Sequence, residues 1–277
     1  MYLPNFGPVD LKRNDGMSMF NALQVQLQRH FASGFQWATN YMWSNSQNDG
    51  SVGGGEANAP ENVACRECEW GPSIYDIRQN FVSSAVYDLP VGPGKRYWSN
   101  SRGFAGKLLG GWQLSGIGTA RTGHPLTPVI GLNAAQIPDG NDQSNQRPDL
   151  VPGVSIIPSS QTVNNWINVN AFAPPAPGTF GNAGNGIVRA PGWWQADVAL
   201  QKTTRLSEQL SLDFRVEAFN IFNHDPYGDV SSLDILSGGF GQITTTVNFN
   251  TNNDNFASDN TGTGLPRQIE FMLRLNF

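Results

Sequence analysis

Residues 268–277 read QIEFMLRLNF, and apolar side chains occupy every second position, from Ile269 to Phe277, with Met272 as the single apolar residue on the otherwise polar face. A period of two is typical of a β-strand whose two faces meet different surroundings. A strand of about ten residues, tilted by about 45°, crosses a bilayer when its apolar side chains face lipid and its polar side chains face water. The last strand of a soluble β-sandwich alternates in the same way, so this segment alone leaves both hypotheses open.

The composition favours the membrane hypothesis. Charged residues make up 14% of the 277 residues, whereas about a quarter is usual for soluble domains. Glycine (31), phenylalanine (16) and tryptophan (8) are frequent, and no apolar run is long enough for a transmembrane helix. The net charge of −5, without a basic stripe, argues against a nucleic-acid partner. The first residues lack the basic and apolar stretches of a signal peptide, so we expect a cytoplasmic protein or a chain whose start is missing.

Six further segments alternate with the same period, so the sequence predicts seven strands in an all-β, antiparallel, up-and-down transmembrane barrel wall. For example, Leu23, Val25 and Leu27 are each followed by a glutamine. The predicted strands are residues 17–30, 35–44, 79–89, 112–127, 193–204, 209–222 and 268–277.

The connections between these strands alternate in length. Three are short or moderate, at 32–34, 91–111 and 206–208, and three are long, at about 45–78, 128–192 and 223–267. Outer-membrane barrels have short periplasmic turns and long extracellular loops. We therefore expect a periplasmic C-terminus, an extracellular loop remnant in residues 1–16 and barrel wall in 17–277. The long loops are rich in Gly, Asn, Pro and Ser, and we expect them to be irregular.

The number of predicted strands bears on whether the barrel can close. A complete bacterial barrel has an even number of strands, at least about eight, and open sheet edges in lipid are very costly. Seven strands therefore predict part of a larger barrel, a sheet that recruits other strands, or a count that is wrong by one.

Two groups of residues are candidates for functional positions in such a wall. On the polar faces of the last two predicted strands, Asp213, Arg215, Glu217 and Arg274 suit a hydrated lumen. Aromatic residues near strand ends suit an interfacial belt, although exposed tryptophans also serve in carbohydrate binding. The belt candidates are Trp37, Tyr41, Trp43, Tyr87, Trp193 and Trp194.

Sites for metal or redox chemistry are sparse. Cys65 and Cys68 lie in the sequence Cys-Arg-Glu-Cys without the setting of a redox or zinc motif, which favours a local disulfide or two loop thiols. Five residues could offer oxygen ligands to calcium, but without regular spacing, so we interpret them as turn formers: Asp139, Asn141, Asp142, Asp254 and Asp259. No phosphate-binding loop and no catalytic motif is present, so we expect no enzyme activity, cofactor or metal.

Several stretches resemble one known family. They are residues 21–27 (NALQVQL), 80–90 (NFVSSAVYDLP), 111–117 (GWQLSGI), 147–151 (RPDLV), 214–224 (FRVEAFNIFNH), 241–244 (GQIT) and 267–277 (RQIEFMLRLNF). Together they resemble the C-terminal β-barrel of TonB-dependent outer-membrane receptors, in particular the Oar-like group. The resemblance implies a barrel of about 22 strands, an N-terminal plug, a segment that engages TonB, and ligand import driven by inner-membrane energy.

The resemblance also implies partners. Outer-membrane lipid surrounds such a wall, and the terminal Phe271, Leu273, Leu275 and Phe277 resemble the signal that the barrel-assembly machinery reads. Contact with TonB is expected only through an N-terminal region that we do not find here, so the chain alone is not expected to perform energised transport. Two alternatives stay open: a secreted β-sandwich or adhesin that binds glycans or a cell surface, and a truncated gene product without independent function.

Overall fold

A computed structural model describes residues 14–50, 60–62, 64–136, 146–246 and 266–277. Its main feature is one antiparallel sheet in which seven long strands pair in the order of the sequence. The predicted all-β, up-and-down architecture is therefore confirmed. The strands are β1 (Ser18–Ala32), β2 (Phe35–Asn48), β3 (Gln79–Asp88), β4 (Trp112–Arg121), β5 (Trp193–Arg205), β6 (Ser211–Phe219) and β7 (Gln268–Asn276).

Each strand has an apolar and a polar face, and the pairing register aligns these faces across the sheet. Residues directly opposite each other in antiparallel strands point to the same side. One apolar row therefore crosses six strands without interruption: Phe35, Tyr87, Leu114, Leu200, Val216 and Phe271. A row on the other face contains Asp88, Gln113, Gln201, Arg215 and Met272.

The two ends of the sheet differ, and we call them the turn end and the loop end. At the turn end, Ser33 and Gly34 join β1 to β2 with φ angles of 54° and 81°, as a two-residue type I′ hairpin requires. The connection from β3 to β4 contains the helix α1 (Gly103–Leu109). Within the described ranges, no helix has both the length and the apolarity to cross a membrane.

The sheet is an open wall. Among the described residues, β1 pairs only with β2 and β7 only with β6. Both edge strands are exposed along almost their whole length. Further small elements lie at the loop end: the two-residue strands Gly71–Pro72, Pro125–Leu126, Asp149–Leu150, Phe172–Ala173 and Val188–Arg189, and the 3₁₀ helices Arg66–Glu69 and Val169–Ala171.

The fourth strand ends earlier than the sequence predicts, at Arg121 instead of residue 127. The chain leaves the wall at Thr122, and Pro125–Leu126 then pairs with Val188–Arg189 in a separate small sheet. Proline lacks the N–H that a central strand needs, which explains why the alternating pattern continues after the wall strand has stopped.

The hydrophobic core of the described chain lies in the long loops and not in the wall. The described parts of the three long loops pack together, and we call them the loop unit. It comprises residues 60–62, 64–78, 122–136, 146–192 and 220–246. Their backbone is irregular apart from very short elements, as expected, but their apolar residues bury one another, which the sequence did not predict. The buried cluster comprises Leu126, Ile130, Ile167, Ala171, Phe172, Val188, Ala190, Val230, Ile235, Phe240 and Ile243.

Candidate functional site

A buried ion cluster joins the first long loop to the second. The guanidinium of Arg147 lies 2.7 Å from a carboxylate oxygen of Glu61 and 2.7 Å from one of Glu69. Its Nε also donates to the backbone oxygen of Ala183 at 2.8 Å. Burial raises the pKa of the Glu61 carboxyl, although Arg147 works in the opposite direction. The cluster holds two loops in one arrangement, since each ion loses its water and depends on the others.

A second ion cluster ties these loops to the wall. The carboxylate of Asp76 is fully buried, pairs with Arg189 and lies 2.9 Å from Nε of Arg78. It also accepts the backbone N–H of Ser46, near the end of β2, at 2.6 Å. Arg189 in turn donates to the backbone oxygen of Gly123 at 3.0 Å. The loop unit is therefore held firmly on the loop end of the sheet.

The two cysteines bracket a third connection. Cys65 and Cys68 form a disulfide, which decides between the two interpretations that the sequence left open. Between them, Arg66 donates from Nε to Asp49 at 2.9 Å, and Asp49 accepts the backbone N–H of Met17 at 2.9 Å. The hydrogen bond from Arg66 lowers the pKa of Asp49. This segment thus fastens the loop unit to the ends of β1 and β2.

A pocket of ≈ 190 Å³ lies where the loop unit meets the wall, and we call it the rim pocket. All three long loops contribute to it, and its lining includes the last residue of β4 and the first residue of β5. Tyr75 and Tyr227 are 57% and 44% exposed, so the pocket is open to solvent. The lining residues are Ile74, Tyr75, Ile77, Arg121, Thr122, Gly123, His124, Pro191, Trp193, Tyr227, Gly228 and Asp229.

Polar groups in the rim pocket are arranged in two pairs. The Arg121 guanidinium lies over the indole of Trp193, 4.9 Å from its centroid. His124 Nε2 is 3.3 Å from Asp229 Oδ2. The indole of Trp193 is only 8% exposed, and its Nε1–H has no acceptor among the described residues. The pocket therefore offers aromatic surface together with donors and an acceptor, which is the usual composition of a small-ligand site.

Comparison with known families adds an independent finding. The family model described as an outer membrane beta barrel domain matches residues 1–269. The chain belongs to this family. It is therefore an outer-membrane protein, and its sheet is a wall of a transmembrane barrel. A search of curated proteins finds no match.

Membership in the barrel family decides against the secreted sandwich. The four charged residues predicted to face the lumen share the polar face of the barrel wall. Asp213 pairs in register with Arg274, and the neighbouring Arg215 and Glu217 form an ion pair. Their exposure to a lumen stays a prediction.

The aromatic belt candidates divide between the two faces of the barrel wall. Trp37, Tyr41, Trp43 and Tyr87 lie in register on the apolar face. Trp194 is on that face as well, 41% exposed and stacked on His224 at 4.4 Å. Trp193 lies on the opposite face, where it lines the rim pocket. Of the residues considered for calcium, all lie outside the described ranges: Asp139, Asn141, Asp142, Asp254 and Asp259.

The terminal signal candidates all lie on one side of β7 or directly after it. Phe271, Leu273 and Leu275 pair in register with apolar residues of β6, and Phe277 follows the strand, 99% exposed. Their apolar side chains are thus available to lipid or to another protein, and recognition by the assembly machinery stays a prediction.

The stretch 214–224 that supports the family resemblance forms a junction between the barrel wall and the loop unit. Asn220 is buried and adopts a φ of 48° just after β6. Its side-chain amide donates to the His224 oxygen at 2.8 Å and accepts the His224 N–H at 2.9 Å. Its own N–H donates to Asp197 on β5 at 2.8 Å. This asparagine therefore sets the direction in which the chain leaves the wall.

Proposed function

We propose that the chain supplies wall strands and ligand-capturing loops to a TonB-dependent receptor of the Oar-like kind, which moves a scarce ligand across the outer membrane. The rim pocket is the observation that supports this most, since it joins all three loops to Arg121 and Trp193 on the polar face of the wall. A barrel turns its polar face toward a watery interior. A ligand bound there is thus already at the entrance to the interior.

The partners follow from the same proposal. The apolar face contacts outer-membrane lipid, and the barrel-assembly machinery reads the terminal strand β7. Contact with TonB belongs to the plug-bearing N-terminal region of such receptors and not to the wall. Because unpaired strand edges are costly in lipid, β1 and β7 pair with further strands in the membrane. The role is binding and passage, without catalysis.

Nutrient uptake by living cells tests the proposal. A strain that lacks the gene is compared with the complemented strain on a panel of limiting carbon, nitrogen and metal sources. We expect the strain without the gene to grow more slowly on at least one source. In the complemented strain, accumulation of that nutrient in labelled form should stop when an uncoupler collapses the proton gradient across the inner membrane. Equal growth on every source, or uptake that is insensitive to the uncoupler, would contradict energised import.

A further inference from the structure

We propose that the rim pocket binds one ring of an uncharged, polyhydroxylated ligand, namely a terminal sugar residue of a glycan. This inference rests on the proposed function and deepens it, because it names the class of ligand that the loop unit captures. Four features of the pocket lead to it: its size, its opening, the compensation of its charges and an orphaned donor.

The size and opening of the pocket fit one ring of a longer molecule. Its volume of ≈ 190 Å³ is below the ~300–1,000 Å³ that encloses a drug-sized ligand. The two tyrosines, Tyr75 and Tyr227, are partly exposed, so the pocket opens to solvent on their side. One ring can therefore enter while the rest of an oligomer stays outside.

The charges in the pocket favour an uncharged ligand. The guanidinium of Arg121 is stacked on Trp193, and Asp229 is paired with His124. A ligand of either sign would be attracted by one of these ions and repelled by the other. Hydroxyl groups accept from the guanidinium and donate to the carboxylate, and hydrogen bonds to ionised groups are the strong ones. A ligand rich in hydroxyls can use both ions at once.

The indole of Trp193 supplies the fourth feature. Its Nε1–H is buried and has no acceptor among the described residues, although the ring lines the pocket. Nearly all buried donors in folded proteins have a partner, so a donor without one calls for an explanation. After a small rotation of the ring, a ligand hydroxyl oxygen can accept from this N–H. Removal of the indole N–H should therefore weaken binding even when the aromatic ring is retained.

The two tyrosines complete the site. A tyrosine ring offers an apolar face and a hydroxyl at its tip. The C–H face of a sugar ring can pack on the apolar face of the tyrosine, and the sugar hydroxyls can form hydrogen bonds with the tyrosine hydroxyl. Tyr75 and Tyr227 come from different loops and both line the pocket, so both are placed to contact one bound ring.

Binding to the purified full chain tests this inference. The protein is kept in an amine-oxide detergent, because detergents with sugar headgroups would compete for the pocket. It is applied to a printed panel that contains neutral hexose oligosaccharides, uronate-containing oligosaccharides and dipeptides. The strongest binder is then titrated against the parent protein and its variants.

The variants separate the pocket from the rest of the surface. Tyr75→Ala, Tyr227→Ala and Trp193→Phe should each weaken binding of a neutral oligosaccharide about tenfold, the factor that corresponds to ~1.4 kcal/mol. Two matched controls lie at the turn end, where Tyr97 and Trp98 are 53% and 63% exposed. Tyr97→Ala and Trp98→Phe should leave the affinity within about twofold, a difference below ~0.5 kcal/mol.

Several outcomes would overturn the inference: no binding to neutral oligosaccharides, binding restricted to uronates or dipeptides, or neutral binding that the three pocket variants leave unchanged. These outcomes are distinct from failure of the proposed function. Uptake of another ligand class that needs the proton gradient would leave that function intact while the glycan site fails. Glycan binding that depends on the pocket, without energised uptake, would support the glycan site and contradict the proposed function.

Discussion

The wall and the loop unit are stabilised in opposite ways. In the wall, Phe271 is 73% exposed and Leu273 68%, whereas Ile130 and Ile167 in the loop unit are 0% and 1% exposed. The wall satisfies its backbone through strand pairing and leaves its apolar side chains to lipid. The loop unit buries its apolar side chains against one another, as a water-soluble domain does. One chain thus contains a region suited to lipid and a region suited to water. Substitutions in one region should therefore affect the stability of that region and not of the other.

The largest expected effect is in the loop unit. Arg147→Met leaves the carboxylates of Glu61 and Glu69 buried without their cation, which should cost the loop unit ~3–5 kcal/mol. Hydrogen exchange should rise across the loop unit while the heat-modifiable gel mobility of the wall is unchanged. Arg102→Met, at an exposed arginine of the turn end, is the control.

A triple variant checks the mechanism of that effect. If buried, uncompensated charge is the cause, adding Glu61→Gln and Glu69→Gln to Arg147→Met should restore part of the protection against exchange. Loss of the wall together with the loops would show instead that the two regions do not fold as separable units.

The next effect is in the wall and depends on the face. Val25 and Gln24 are neighbours in the middle of β1, with Val25 in register on the apolar face and Gln24 on the polar face. Val25→Arg places a charge toward lipid, which should cost ~2–4 kcal/mol near the bilayer centre. The yield of heat-modifiable protein in outer membranes should fall for Val25→Arg and hold for Gln24→Arg. Equal yields would contradict the assignment of the faces.

A third effect concerns the junction between the two regions. Asn220 and Asn223 both have positive φ angles, of 48° and 51°, but only Asn220 is buried. Asn220→Ala removes the paired hydrogen bonds with His224 and should cost ~1–3 kcal/mol. Asn223→Ala carries a similar backbone cost and removes one hydrogen bond, from the Arg267 N–H, but leaves the bonds to His224 in place, so it is the matched control for those bonds. Exchange at the His224 amide should rise mainly in the first variant.

The wall could be predicted from sequence because its signal is local. Alternation along ten or so residues identifies a strand and its two faces without knowledge of its neighbours. The same alternation shows that Trp193 and Trp194 point to opposite sides, so the position of Trp193 on the polar face was available from sequence. The rim pocket was not, because Tyr75 and Tyr227 approach it from distant loops.

The loop unit could not be predicted from the sequence, because its contacts join residues that are far apart in the chain. The ion pair of Arg147 with Glu61 spans 86 residues, and that of Arg189 with Asp76 spans 113. Its core residues, such as Ile130 and Ile167, stand singly among Gly, Pro and Asn and show no period. Composition of this kind predicts turns, and only the assembled structure shows that the turns enclose a core.

The smallest expected effect is a difference in acid response between two carboxyls of the first long loop. Asp49 has a lowered pKa because Arg66 donates to it. Its contribution to stability is therefore present above the ordinary pKa of 3.8 and is lost as the pH falls through the lower value of the folded state. Glu61 has a raised pKa because it is buried, so its contribution is present below the ordinary value of 4.5 and is lost as the pH rises through its folded value.

Acid should consequently release the attachment at Asp49 without loosening the site of Glu61. As the pH falls from 3.8 through the lowered pKa of Asp49, the Met17 amide that donates to Asp49 should lose protection against exchange, while the Arg147 amide that donates to Glu61 should retain it. The side chain in Asp49→Asn cannot titrate, so the protection of the Met17 amide in this variant should depend little on pH. If parent and variant respond alike to acid, groups other than Asp49 control this attachment, and the two regions share one acid transition.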